Sequence, residues 1–238
     1  MTPDGSQGRA LLDVLRLGMV PYEEAHERQR ELLERRLAGE IPDTLVLCEH
    51  QEVVTLGRGT PPEAVEGLEL PVIEVERGGE ATYHGPGQLV VYPILALPEE
   101  RRDLHRYLRD LEEVVIRCLG EVGIVGTRRP GLTGVWVDEQ KICSVGVAVR
   151  RWVTWHGFAL NVHTDLEAFR GFRPCGLDSE VMTRVADHAE IPPSTMLFQV
   201  LAVKHVCEVF DLELPPIPPP APTGDVSETG LPIHPSSS

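Results

Sequence analysis

Arg77-Gly78-Gly79-Glu80-Ala81-Thr82-Tyr83-His84-Gly85-Pro86-Gly87-Gln88 runs without a break into the apolar segment Leu89-Val90-Val91-Tyr92-Pro93-Ile94-Leu95. Four glycines and a proline among the first twelve residues are turn chemistry, because glycine takes positive φ without a steric penalty and lets another backbone or a ligand approach closely. Set among them are an arginine, a threonine, a tyrosine, a histidine and a glutamine. A plain connection does not need so many donors and acceptors beside a buried strand. The pattern therefore reads as a binding wall, with backbone facing a ligand and the following strand as rigid support. No Gly-Lys-Ser/Thr follows the glycines and the third glycine of a dinucleotide fingerprint is missing, so nucleotide phosphate is not the expected guest.

On either side of this stretch the chain alternates strands and helices. Residues 11–17 suit a first strand. Pro21 opens a helix with Glu23 and Glu24 in its first turn and Arg35, Arg36 and Gly39 at its end. Residues 44–48, 53–56 and 72–75 read as short strands. The clearest helix has Leu104, Tyr107, Leu108, Leu111, Val114, Val115, Cys118 and Leu119 on one face, with Asp103 as its cap. Residues 134–137, 141–149 and 153–162 form an antiparallel meander, and residues 194–210 a last amphipathic helix. The expected organisation is a flexible N-terminus at 1–10, one catalytic domain at 11–210 and a Pro/Ser-rich disordered tail at 211–238.

The totals narrow the function. With 238 residues, 42% of them hydrophobic, the chain can bury one core. A formal net charge of −15 argues against nucleic acid as a partner, since phosphate binding rests on clustered Lys and Arg. Five cysteines at irregular spacing do not make a disulfide framework. No leader opens the chain and no apolar run reaches the roughly 18 residues of a membrane span, so a cytoplasmic protein without a membrane partner is expected.

Cys175 lies between Pro174 and Gly176 in a loop where a thiol can be approached. Lys141 begins an otherwise uncharged run through Val149, and a lysine in such a strand is costly to bury unless paired or used. If folding brings the two together, the ammonium favours the thiolate and the pair supplies a nucleophile and a base for covalent acyl transfer. Cys143, two residues from Lys141, is the rival thiol and reads as a core filler. Cys48, Cys118 and Cys207 read as core. Cys48-Glu49-His50 has no second matching pair, so neither a metal nor a cofactor is expected. His156 and His163 read as packing or hydrogen-bonding residues, whereas His84 is singled out by its loop.

The 77–88 stretch, Gly-Val-Trp-Val with Lys-Ile-Cys-Ser-Val-Gly across 134–146, His-Gly-Phe-Ala-Leu-Asn-Val at 156–162 and Pro-Cys-Gly-Leu at 174–177 together resemble the octanoyltransferases of lipoic acid synthesis, the lipoyl(octanoyl) transferase family, over residues 11–210. The resemblance implies an α/β fold: a mixed, largely antiparallel sheet flanked by helices, like the catalytic domain of biotin and lipoate protein ligases. It implies octanoyl or lipoyl transfer from acyl carrier protein to a lysine of lipoyl domains of 2-oxoacid dehydrogenases and of glycine-cleavage H protein. In that reading Cys175 carries the acyl thioester and Lys141 tunes it. Substrate contacts fall on Arg77, Gly78, Gly79, Glu80, Ala81, Thr82, Tyr83 and His84, on Ser144, Val145 and Gly146, and on Gly157, Phe158 and Ala159. Cys143 stands where the family more usually has alanine. Because both protein partners are commonly acidic, Arg58, Arg150 and Arg151 are candidates for a basic docking face. The alternative is an ATP-dependent lipoate or biotin ligase on the same fold, which needs no nucleophilic cysteine. A non-catalytic module that binds acylated proteins would need neither Cys175 nor Lys141.

Overall fold

A computed structural model describes residues 9–61, 65, 68–170 and 181–216. Cys175 and its Pro-Cys-Gly loop lie outside the described residues, as does most of the expected tail.

Strand β1 (Ala10–Val20) leads into helix α1 (Tyr22–Leu37), followed by β2 (Asp43–His50), β3 (Val53–Leu56), β4 (Val72–Glu74), β5 (Thr82–His84) and β6 (Gln88–Ile94). Helix α2 (Leu104–Gly120), the strands β7 (Val135–Val137), β8 (Gln140–Arg150) and β9 (Val153–Asn161), helix α3 (Thr195–Phe210) and β10 (Leu212–Glu213) complete the order. The main sheet runs β10-β1-β2-β6-β9-β8-β7, and a smaller one runs β4-β3-β5. In the main sheet β1 is parallel to β2 and to β10, while the other pairings are antiparallel. This is a mixed, largely antiparallel α/β sheet flanked by helices. Leu212–Glu213, at the head of the expected tail, is the short strand that closes the β1 edge.

Each helix begins where local chemistry allows it. The Asp103 side chain accepts a hydrogen bond from Arg106 N at 3.1 Å, and Ser194 Oγ accepts one from Leu197 N at 3.3 Å. Such caps satisfy N–H groups that the first helical turn leaves without partners. Helix α1 starts after Pro21 without a side-chain cap and ends at Ala38, with Gly39 at φ 74° just beyond it.

The sheet's two faces are read off β2 and β6 by alternation. Leu45, Leu47, Leu89 and Val91 pack with Leu111, Val115, Phe198 and Val206 of α2 and α3. Val46, Cys48, Val90 and Tyr92 pack on the opposite face with Ala25, Leu32 and Leu33 of α1. Because both faces are covered, β2 is an uninterrupted apolar run at its centre rather than an alternating one. The α1 face is the one that carries the pocket described next.

Candidate active site

Three separated segments converge on the α1 face of the sheet. Arg77, Gly79, Thr82 and His84 come from the glycine-rich stretch, Ser144, Val145 and Gly146 from β8, and Gly157, Phe158 and Ala159 from β9. Together with Tyr22, Val90, Tyr92 and His156 they line a narrow cavity of about 40 Å³. A roomier groove of about 520 Å³ lies between β1, α1 and Leu214, but its lining is arginines, Asp13, Thr44 and aliphatic side chains without a histidine or tyrosine. The smaller cavity gathers two histidines, two tyrosines, a serine and an arginine.

Register explains the convergence. Ser144, Val145 and Gly146 lie directly opposite Ala159, Phe158 and Gly157 in the β8–β9 ladder, so two sequence segments become one patch of sheet. The glycine-rich stretch closes over that patch, with Gly78 N donating to Val147 O at 2.9 Å. Gly157 has to be glycine, because a Cβ there would sit 2.1 Å from Val91 O on the neighbouring strand. Among the remaining residues expected at the site, Ala81 and Tyr83 point away, into a separate cluster with Val54, Phe169 and Met182. Gly78 and Glu80 do not line the cavity either. In β5, Thr82 and His84 face one way and Tyr83 the other, as strand alternation requires.

A hydrogen-bonded chain fixes the polar side of the pocket. Arg77 Nη2 donates to Thr55 O at 2.9 Å and to Thr55 Oγ1 at 3.0 Å, which leaves the Thr55 hydroxyl hydrogen for His84 Nε2 at 3.4 Å. His84 Nδ1 donates to Gln88 Oε1 at 2.8 Å. Gln88 Nε2 in turn donates to Tyr83 O at 3.1 Å and to Asn161 Oδ1 at 2.9 Å, fixing the amide and hence the His84 tautomer. Asn161 Nδ2 donates to Thr183 O at 3.0 Å, and Thr183 N donates to Lys141 O at 3.0 Å. One polar line thus joins Arg77 to the backbone of Lys141.

Lys141 is buried in β8, three residues before Ser144, and its Nζ lies 5.3 Å from the centre of the Trp136 ring. A β-bridge to Met182 holds the segment that emerges from residues 171–180 beside it. Gly134 leaves room for the lysine stem: a Cβ there would meet Lys141 Cε at 2.8 Å and Cys143 O at 2.6 Å.

Burial keeps the histidines and tyrosines of the pocket uncharged. His84 is held well below the usual imidazole range, first by burial and then by the neighbouring His50, although its bond to Gln88 opposes the shift. His156 is pushed down to about 3 by burial, with His26, Arg77 and Arg58 adding to it. Burial pushes the Tyr22 and Tyr92 hydroxyls up. His50 Nδ1 donates to Val20 O at 3.1 Å, so its Nε2 accepts from Tyr92 O–H at 2.7 Å.

The Cys143 thiol, wholly buried in the α2–α3 core, is pushed far up by burial, which outweighs the pull of Lys141. Arg150 of the expected docking face already pairs with Glu34. Tyr22, Val90, Tyr92 and His156 were not foreseen as pocket residues. Only His156 carried a signal, standing directly before Gly157; its ring nitrogens have no hydrogen-bond partner among the described residues, and of the packing and hydrogen-bonding roles expected for it the structure shows packing, against Trp155 and His26.

Comparisons with known proteins bear on the family and the fold. Residues 21–206 match the model of the lipoyl protein ligase A/B catalytic domain. The chain is 54% identical over 179 residues to the octanoyltransferase of Rubrobacter xylanophilus, covering 71% of this chain and 80% of that one. It is 43% identical over 204 residues to the octanoyltransferase of Syntrophotalea carbinolica, covering 86% and 97%. Among solved structures, a putative lipoate protein ligase from T. acidophilum with bound lipoic acid shares the fold at a TM-score of 0.69 and 16% identity, covering 86% of this chain and 87% of that one. A biotin protein ligase from Aquifex aeolicus shares it more distantly, at a TM-score of 0.51 and 14% identity, covering 84% and 69%. Among the described residues no helix is long and apolar enough to cross a membrane. By sequence and family model, the chain belongs to the lipoyl(octanoyl) transferase family of acyltransferases.

Proposed function

We propose that the protein transfers an octanoyl or lipoyl group from acyl carrier protein to a lysine of lipoyl domains and of glycine-cleavage H protein, through a thioester on Cys175. The observation that carries the reading is the convergence of Arg77, Gly79, Thr82 and His84 with residues 144–146 and 157–159 on one pocket, with Lys141 on the strand that supplies its wall. Val90 and Ala159, whose side chains pack on the α1 face, give that pocket apolar surface for an acyl chain.

In the first half-reaction the Cys175 thiolate attacks the thioester carbonyl carbon. The new C–S bond forms as the bond to the carrier's sulfur breaks, and the departing thiolate takes a proton relayed by Lys141. In the second, the neutral ε-amine of the target lysine attacks the acyl-enzyme. The amide forms, Cys175 leaves as thiolate, and the proton lost by the amine goes to Lys141. Both tetrahedral intermediates put negative charge on the former carbonyl oxygen, where one good N–H donor contributes about 10²–10³ in rate.

Incubating the protein with octanoyl-acyl carrier protein in the absence of ATP, followed by intact-mass measurement, tests this. One octanoyl adduct on the wild type, cleaved by hydroxylamine and missing from Cys175→Ala, is expected. An adduct on both proteins would move the nucleophile away from Cys175. Modification only with ATP and free lipoate would replace the transferase reading with a ligase one.

A further inference from the structure

His26 on α1, Glu76 just after β4 and His156 on β9 bring their ligating atoms within 4.8 Å of one another. We propose that these three side chains form a binding site for a divalent transition-metal ion of the zinc class, in the wall of the acyl pocket. Two imidazoles and one carboxylate form a donor set of the kind that suits zinc and its neighbours, and three protein ligands leave one tetrahedral position for water.

The geometry is close to that of a bound site. His26 Nε2 and Glu76 Oε2 are 3.0 Å apart, and the two imidazole centroids are 5.6 Å apart with their planes 26° from parallel. Two imidazoles on one tetrahedral ion, each bound at about 2.0–2.1 Å, have centroids roughly 5 Å apart. A sub-ångström approach of the rings completes the set, and the Glu76 side chain, 43% exposed, is free to adjust.

A structural role alone explains these residues poorly. His156 is 1% exposed, and neither of its ring nitrogens has a hydrogen-bond partner among the described residues. Leaving buried polar atoms in that state is unfavourable, and a metal bond removes the deficit. The ring is aimed deliberately, since His156 holds φ 54° and its backbone N donates to Gln29 Oε1 at 2.9 Å, one turn along α1 from His26. His26 is itself held in place between Tyr22 at 5.9 Å and Trp155 at 5.6 Å. Glu76 supplies the negative charge that offsets Arg58 and Arg77, both of which act on His156, and its exposure gives an ion a path from solvent.

The test uses the full chain, freed of metal with a chelator and titrated with zinc against a chromophoric competitor. One equivalent is expected to bind and to raise the unfolding temperature. His26→Ala and Glu76→Gln are expected to lower the affinity at least about tenfold, which is the least that loss of even an outer-sphere partner costs. Both positions are partly exposed, and thermal unfolding in chelator checks that the variants fold. Cys175→Ser is expected to retain the ion. Zinc binding unchanged in both the His26 and the Glu76 variants, or lost only in Cys175→Ser, would overturn the site. So would failure of the wild type to bind zinc. None of these outcomes depends on transfer activity.

Discussion

At the scale of single residues, burial raises the thiol of every described cysteine. Cys48, Cys118 and Cys143 are buried, and burial raises all three thiols, Cys118 to about 12. Cys143 stands two residues from Lys141, and that proximity is not enough: the loss of hydration outweighs the ammonium's pull. Cys207 is partly exposed and still raised, mainly by burial. Since the thiolate is the reactive form, brief treatment of the native protein with iodoacetamide at neutral pH is expected to alkylate Cys175 first and to leave Cys143 unmodified. Peptide mapping after partial labelling checks this, and equal labelling of Cys143 would contradict its assignment to the core. Sequence spacing alone made Cys143 a plausible rival, because it shows who is near Lys141 but not how much water reaches the sulfur.

At the scale of elements, the β8–β9 hairpin sets the pocket register, and its turn uses costly residues. Arg150 pairs with Val153, so Arg151 and Trp152 form a two-residue loop, with φ values of 49° and 64°. Positive φ at both central positions is the type I′ pattern, which asparagine and glycine tolerate and most other residues do not. Arg151→Asn is therefore expected to stabilise the fold by about 1 kcal/mol. Urea unfolding at neutral pH measures it, and a loss of stability would show that the Arg151 side chain makes a contact worth more than the strain. The other elements were legible to different degrees. The α2 periodicity and its Asp103 cap, the Ser194 cap of α3 and the three-strand meander follow from local pattern. Strand β10 did not, because two residues carry no period; their pairing with β1 makes them a strand.

At the scale of the whole molecule, three buried neutral histidines make stability depend on pH. His50 is pushed down to about 4 and His156 to about 3, chiefly by burial, and His84 is also held well below the usual range. In the unfolded chain each takes a proton near pH 6.5, whereas the folded protein refuses it until far lower. Folding stability is therefore fully present above pH 6.5 and falls as the pH is lowered, by about 1.4 kcal/mol per pH unit for each such histidine. Urea midpoints at pH 7, 6 and 5, measured with chelator present, are expected to fall steeply, and a flat profile would mean that these rings have access to water.

Apart from β5 and β10, the order of strands and helices, together with the turn-rich stretch at 77–88 and the residue motifs of the family, could be read from the chain itself. Local preferences, caps and apolar periods act over a few residues and leave their mark in the sequence. Contacts between distant segments leave no such mark. The β8–β9 register placed Ser144 to Gly146 opposite Gly157 to Ala159, and alternation in β5 sent Thr82 and His84 into the pocket while Tyr83 turned to another core. The meeting of His26, Glu76 and His156 from three elements, and the burial that leaves His156 neutral with its ring nitrogens unpartnered among the described residues, arise only when α1 packs on the sheet. Hydration and long-range proximity are properties of the packed chain, and for that reason only the tertiary structure decided them.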